Sequence, residues 1–199
     1  MQKATISIIY HSNHGHTEQA AKLFAHFMQS KDIHVHVIHV SEVSDVWQLL
    51  HDSDTIVFGC PTLFGNVSSK FKAFMEETGA FWYKQLWKNK LAAAFTVSST
   101  VNGDKLNTLQ SIAMFAAQHS MHWVNLGILP RFLNDEQTDG QNRLSSYLGL
   151  MMQSDNSQEY VAPFNPGDLL TLELFARRII EVTMNFKNLK INNYDKSRN

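Results

Sequence analysis

Three nearly unbroken apolar runs, Ala4 to Tyr10, Thr55 to Gly59 and Leu91 to Val97, alternate with stretches whose apolar residues fall at helical spacing. A strand that is apolar at almost every position is buried on both faces, and the intervening helices supply the cover. The pattern predicts an α/β domain built on a parallel sheet with right-handed connections. Ile33 to Val40, rich in β-branched residues, adds a strand, and Trp123 to Leu126 adds a fifth. The strand at Thr55 to Gly59 is broken by Cys60-Pro61 in this reading. Helices are expected around Thr17 to Phe24, Val46 to Leu50, Ser68 to Thr78, Leu106 to His119 and Leu169 to Met184, the last capped by Asp168. Ligands of such sheets gather at the carboxyl ends of the strands.

A chain of 199 residues, 44% of them apolar, buries one sizeable core. Residues 1–187 therefore read as a single domain, 188–199 as a polar tail, and 128–167 as a long polar segment outside the alternation. A net charge of −1 without charged runs offers no electrostatic footprint for nucleic acid. The one cysteine, Cys60, rules out an internal disulfide. No apolar run approaches membrane-spanning length and no signal-like segment precedes the first strand, so a cytoplasmic protein without membrane insertion is expected.

Three loops at strand ends carry the chemistry. Ser12-Asn13-His14-Gly15-His16-Thr17 joins the first strand to a helix start, a geometry that aims backbone N–H groups and the positive helix end at an anion. The loop has no lysine and matches neither GxxxxGK[ST] nor GxGxxG, which favours a monophosphate over a triphosphate or dinucleotide. Pro61-Thr62-Leu63-Phe64-Gly65-Asn66 offers a fixed entry, a turn glycine and an aromatic ring. Ser98-Ser99-Thr100-Val101-Asn102-Gly103 is small, polar and able to turn. One phosphate cradle with two loops for a flat, polar-edged ring describes a flavin mononucleotide (FMN) site.

Blander readings stand beside these. Each loop alone is consistent with an ordinary turn, Phe64 with packing, and Cys60 with a small buried residue. His34, His36 and His39 do not make a metal site, since the strand period puts the first two on one face and the third on the other.

YHSNHGHTE from Tyr10, GCPTLFGN from Gly59 and ETGAFW from Glu77 resemble the flavodoxin-like NAD(P)H:quinone oxidoreductases of the WrbA type, the multimeric flavodoxins, over about residues 4–127. The resemblance implies a three-layer sandwich, with a five-stranded parallel sheet of order 2-1-3-4-5 and noncovalent FMN. It implies that Ser12 to Thr17 hold the phosphate, that Pro61, Thr62, Phe64, Gly65 and Asn66 line the isoalloxazine, and that Ser98, Ser99, Val101, Asn102 and Gly103 close the other side. Trp82 and His119 match positions facing the flavin's exposed side, where substrate stacks; there His119 is expected to donate a proton or a hydrogen bond to the acceptor oxygen. The chain departs from the pattern at Leu63, where arginine is usual, and in its third loop, usually richer in glycine.

The expected activity is electron transfer from NAD(P)H through FMN to a quinone or similar acceptor, with a flavodoxin-type carrier, a flavin reductase and an FMN-binding module as alternatives. The charge of −1 gives a carrier little electrostatic steering. The apolar residues Leu144, Tyr147, Leu148, Leu150 and Met151 are expected to be exposed and to build a homodimer or homotetramer border near the flavin.

Overall fold

In the computed structural model, which describes residues 3–131, 140–155 and 164–196, the strands and helices alternate as expected. The order is β1 (Ala4–Tyr10), α1 (His16–Phe27), β2 (Ile33–His39), a 3-10 turn (Val40–Asp45), α2 (Trp47–Asp52), β3 (Thr55–Leu63) and β4 (Asn66–Val67). There follow α3 (Ser69–Glu77), α4 (Gly79–Tyr83), β5 (Leu91–Ser98), α5 (Lys105–Gln118), β6 (His122–Trp123), β7 (Leu150–Gln153) and α6 (Pro166–Lys196). The sheet runs β2-β1-β3-β5-β6, which is the expected order once the short hairpin strand β4 is set aside.

Side-chain alternation along the strands divides the core into two layers. Ile6, Ile8, Val57 and Phe95 point to the side covered by α1 and α6, where Phe24 and Phe175 meet them. Ile9, Ile56, Phe58 and Ala94 point to the other side, against Phe71 and Phe74 of α3 and Leu109, Ile112 and Phe115 of α5. Each fully buried aromatic or leucine contributes about 1.5–3 kcal/mol of transfer free energy, so both faces are needed to hold the sheet.

Four expectations need correcting. First, β3 does not stop at Gly59; it continues through Pro61, which pairs with Val97 of β5. Gly59 O accepts from His11 N, so Gly59, and two residues on Pro61, turn their amide edge toward β1. β1 has ended at Tyr10 by then, and the missing proline N–H has no ladder to disturb.

Second, the fifth strand position is shared. β6 pairs with the first half of β5 (Leu91↔His122), and β7 pairs with its second half (Phe95↔Leu150). The chain leaves the sheet after Trp123 and returns at Leu150, and Asn142 braces the excursion by donating to the carbonyls of Ile128 and Ser146 at 2.8 Å each. Leu150 and Met152 are therefore core residues, and Leu148 and Met151 pack against the core. The expected exposed apolar patch is mostly interior, with Tyr147 its exposed member. Residues 132–139 and 156–163 of the long segment lie outside the described residues.

Third, Asp168 does not cap α6. Asn165 does, its Oδ1 accepting from Gly167 N at 2.8 Å. The Asp168 carboxylate instead accepts from Arg143 at 2.8 and 3.0 Å and from Gln153 N at 2.8 Å. Fourth, α6 continues past the expected tail start at Asn188 to Lys196, since no glycine or proline interrupts it.

Candidate functional site

β1, β3 and β5 are parallel and all end on one side of the sheet, but β3 overhangs the end of β1. The first loop fills the step. His11 starts it, buried, with Nδ1 2.7 Å from Ser68 Oγ. Burial holds this imidazole below its usual pKa, and His39 and Lys70 add to the effect. Gly15 then turns the chain at φ 84°, a left-handed conformation that a β-branched residue resists, and its N–H donates to Ser12 Oγ at 3.1 Å. α1 begins at once, so its N-terminal turn and positive end face the step.

A cavity of about 250 Å³ occupies this step, lined by the side chains or backbone of Ser12, Asn13, His14, His16, Thr17, Pro61, Thr62, Leu63, Val97, Ser98, Ser99 and Ser154. Ten were expected from the sequence: the first-loop residues other than Gly15, then Pro61, Thr62, Leu63, Ser98 and Ser99. Val97 and Ser154 were not. Ser154 comes from the end of β7, and its N–H donates to Ser98 O at 3.0 Å; nothing in the polar segment around it signalled a sheet partner. Among the described residues no acidic side chain lines the cavity. Burial, with help from His14, holds His16 below its ordinary value. The lining thus suits an anion held by amides and hydroxyls.

The second loop is a β-hairpin, with Thr62 opposite Val67 and Leu63 opposite Asn66. Its two-residue tip, Phe64 and Gly65, has φ of 48° and 71°, the pattern of a type I′ turn. Thr62 is locked below by hydroxyl contacts to Thr96 (2.7 Å) and Thr108 (2.8 Å). Asn107 Nδ2 donates to Gly65 O at 2.7 Å and fixes the tip to α5. Leu63 faces the small cavity and also a groove of about 1140 Å³ between α3, α4 and α5, making the hairpin the wall between them. Phe64 and Asn66 line the groove and not the cavity.

Ser98 and Ser99 of the third loop reach the cavity, whereas Val101, Asn102 and Gly103 do not line it. Gly103 turns the loop at φ 56°, where an added Cβ would lie 2.4 Å from Thr100 Oγ1. The loop is held from inside by Lys105, which sequence reasoning missed and which is 0% exposed. Its ammonium donates to the carbonyls of Thr100, Val101 and Asn102 at 2.5, 3.0 and 3.3 Å. Burial lowers its pKa to about 8, Asp168 opposing and Arg143 reinforcing the shift.

Trp82 and His119 both border the groove. Trp82 is 48% exposed and free to stack. His119 is 1% exposed, sandwiched against Trp87 and Phe115 with ring centroids 4.7 Å away. Burial lowers its pKa to about 4. The expected proton donor is thus a neutral core imidazole that packs the groove floor. Cys60 is inert, its thiol pushed up to about 11 by burial. Among the described residues no cluster of His, Cys, Asp or Glu could hold a metal ion, and no helix is long and apolar enough to cross a membrane.

The sequence profile of the NADPH-dependent FMN reductase family matches residues 4–130. The chain belongs to that family. It is flavodoxin-like and of the WrbA type. It is 32% identical over 183 residues to the flavodoxin FldP of Pseudomonas aeruginosa, an alignment covering 92% of this chain and 97% of that one. An NAD(P)H dehydrogenase (quinone) of Sinorhizobium fredii is 29% identical over 141 residues, 62% of this chain and 71% of the relative. The crystal structure of a WrbA-like flavodoxin from Agrobacterium tumefaciens superposes with a TM-score of 0.71 at 29% identity, covering 92% of this chain and 99% of that one.

FMN, the cofactor of this family, fits the residues present. The left-handed Gly15, the helix start at the cavity and a lining with no acidic side chain among the described residues meet a phosphate's needs. A volume of about 250 Å³ is small beside the roughly 300–1,000 Å³ of pockets that enclose a whole ligand. The phosphate end would enter, leaving the ring near the hairpin and the third loop.

Proposed function

We propose that the chain is an FMN-dependent oxidoreductase carrying electrons from NAD(P)H to a quinone or similar small acceptor. The net reaction is NAD(P)H + H⁺ + quinone → NAD(P)⁺ + hydroquinone, and bound FMN supplies the two-electron relay. Ser12, Asn13, His14, His16 and Thr17 hold the phosphate, with Gly15 setting the turn. Pro61, Thr62 and Leu63 take one side of the ring and Ser98, Ser99 and the loop to Gly103 the other. Phe64 and Trp82, at the groove, stack on the nicotinamide and the acceptor in turn. The observation that carries this reading is the meeting of the cavity and an aromatic-lined groove at one shared residue, Leu63. The exposed Phe64, Trp82, Tyr83 and Met114 on the groove side are the surface we assign to a second copy of the chain, in a homodimer or homotetramer.

A flavodoxin-type electron carrier is the second reading, favoured by the name and the 92% coverage of the Pseudomonas relative. Stopped-flow mixing of FMN-loaded protein with NADPH and with NADH decides between them. Flavin bleaching by either nicotinamide, followed by reoxidation with benzoquinone, supports the enzyme. A flavin reduced by light or by a ferredoxin-type reductase, yet inert to both nicotinamides, supports the carrier.

A further inference from the structure

Lys105 occupies a position that three separate effects make unfavourable. It is fully buried, it is the first residue of α5, where the helix dipole repels a cation, and it lies in the field of Arg143. Its compensation is the third loop, whose carbonyls at Thr100, Val101 and Asn102 all accept from the ammonium.

Around it lies a polar cluster drawn from distant parts of the chain. Arg143 of the excursion grips Asp168 of α6 and donates to Gln153 Oε1 at 3.0 Å. Gln153 of β7 then reaches Ser99 O through Nε2 at 3.1 Å. Among the described residues, the two cations and one carboxylate of this cluster leave a net positive charge beneath a loop whose first residues line the cavity, and the cavity's own lining has no lysine or arginine.

We propose that Lys105 is a positioning residue for the flavin site, clamping the third loop from inside and setting, through its buried charge, how strongly reduced flavin is preferred over oxidised flavin. The proposal rests on the reading of the site as an FMN site. Oxidised FMN carries no charge on its ring, whereas the two-electron reduced ring readily becomes anionic, so a fixed cation behind the loop favours the reduced form. A buried cation is poorly screened and retains this influence at physiological salt. A loop fastener with no electrostatic role would instead affect both flavin forms alike.

The test uses the full-length protein loaded with FMN and reads the midpoint potential of the bound flavin by spectroelectrochemistry, with flavin affinity measured separately. Lys105→Met should lower the preference for reduced over oxidised FMN about tenfold, which for a two-electron couple is about 30 mV more negative. Lys105→Arg, which retains the charge, should restore most of the shift. An unchanged potential in Lys105→Met, or equal shifts in both variants, overturns the proposal. If the methionine variant does not fold, the wild-type protein decides. Lys105 has Asp168 and Arg143 as its charged neighbours and loses its proton near pH 8, so the potential should fall more steeply with pH above about 8. A constant slope through that range overturns the proposal as well. Failure of the wild-type protein to bind FMN at all would instead remove the reading of the site.

Discussion

Thr78 Oγ1 lies 2.9 Å from Nε2 of His119 while donating its own hydrogen to Met75 O at 2.7 Å. Thr78 can therefore only accept from the imidazole, which fixes the Nε2–H tautomer and leaves Nδ1 as a buried acceptor without a partner among the described residues. The histidine expected to donate a proton or hydrogen bond to the acceptor has its one proton committed to the core.

That arrangement has a pH signature. Above the ordinary value of 6.5 the ring is neutral folded and unfolded alike. From 6.5 down to about 4 the unfolded chain takes up a proton that the folded chain refuses, so stability is lost as pH falls. Urea titrations of wild type and His119→Phe at pH 7 and pH 4.5 should show the variant losing less on acidification, by about 2 kcal/mol. Identical acid sensitivity would mean that His119 titrates normally.

Phe64 holds a left-handed backbone with its side chain fully exposed, so no packing in the monomer compensates for the conformation. Phe64→Asn would create the Asn-Gly pair that type I′ turns prefer. Denaturant melts should show a gain of about 1 kcal/mol, while quinone turnover falls at least tenfold. A variant both more stable and fully active would show that the ring has no role at the groove.

Gly15→Val should abolish FMN binding, because the turn at φ 84° excludes a β-branched residue. Thr17→Ala, removing one hydroxyl from the cavity, should weaken binding by about 1–3 kcal/mol. Fluorescence titration of the apoprotein with FMN, and with riboflavin as the control lacking phosphate, measures both. Normal FMN affinity in Gly15→Val would relocate the phosphate.

Leu148 and Met151 pack against the core, so aspartate at either should unfold the domain and not merely separate subunits. The groove surface is the better place to test association. Trp82→Asp combined with Met114→Asp should reduce the mass seen in light scattering while FMN absorbance survives desalting. An unchanged mass would move the interface elsewhere.

The parallel sheet and its first loop were legible from the chain alone because their causes are local. An apolar run buried on both faces leaves a continuous signature in Ala4 to Tyr10 and Leu91 to Val97, and the Gly15 turn depends on backbone sterics at one residue. The hairpin at Phe64 was hidden because Phe-Gly is not a preferred turn pair; Asn107, more than forty residues away, holds it. β7 was hidden because four residues in polar surroundings become a strand only when β5 offers them a free edge. Asp168 was misread as a cap, and the burial of Lys105 and His119 was not foreseen, for one shared reason. Composition gives the charge a side chain carries in water, but burial and partners decide what that charge does. For Asp168 and His119 the partners come from elements that the chain brings together only on folding, and for Lys105, whose loop acceptors are local, the burial does.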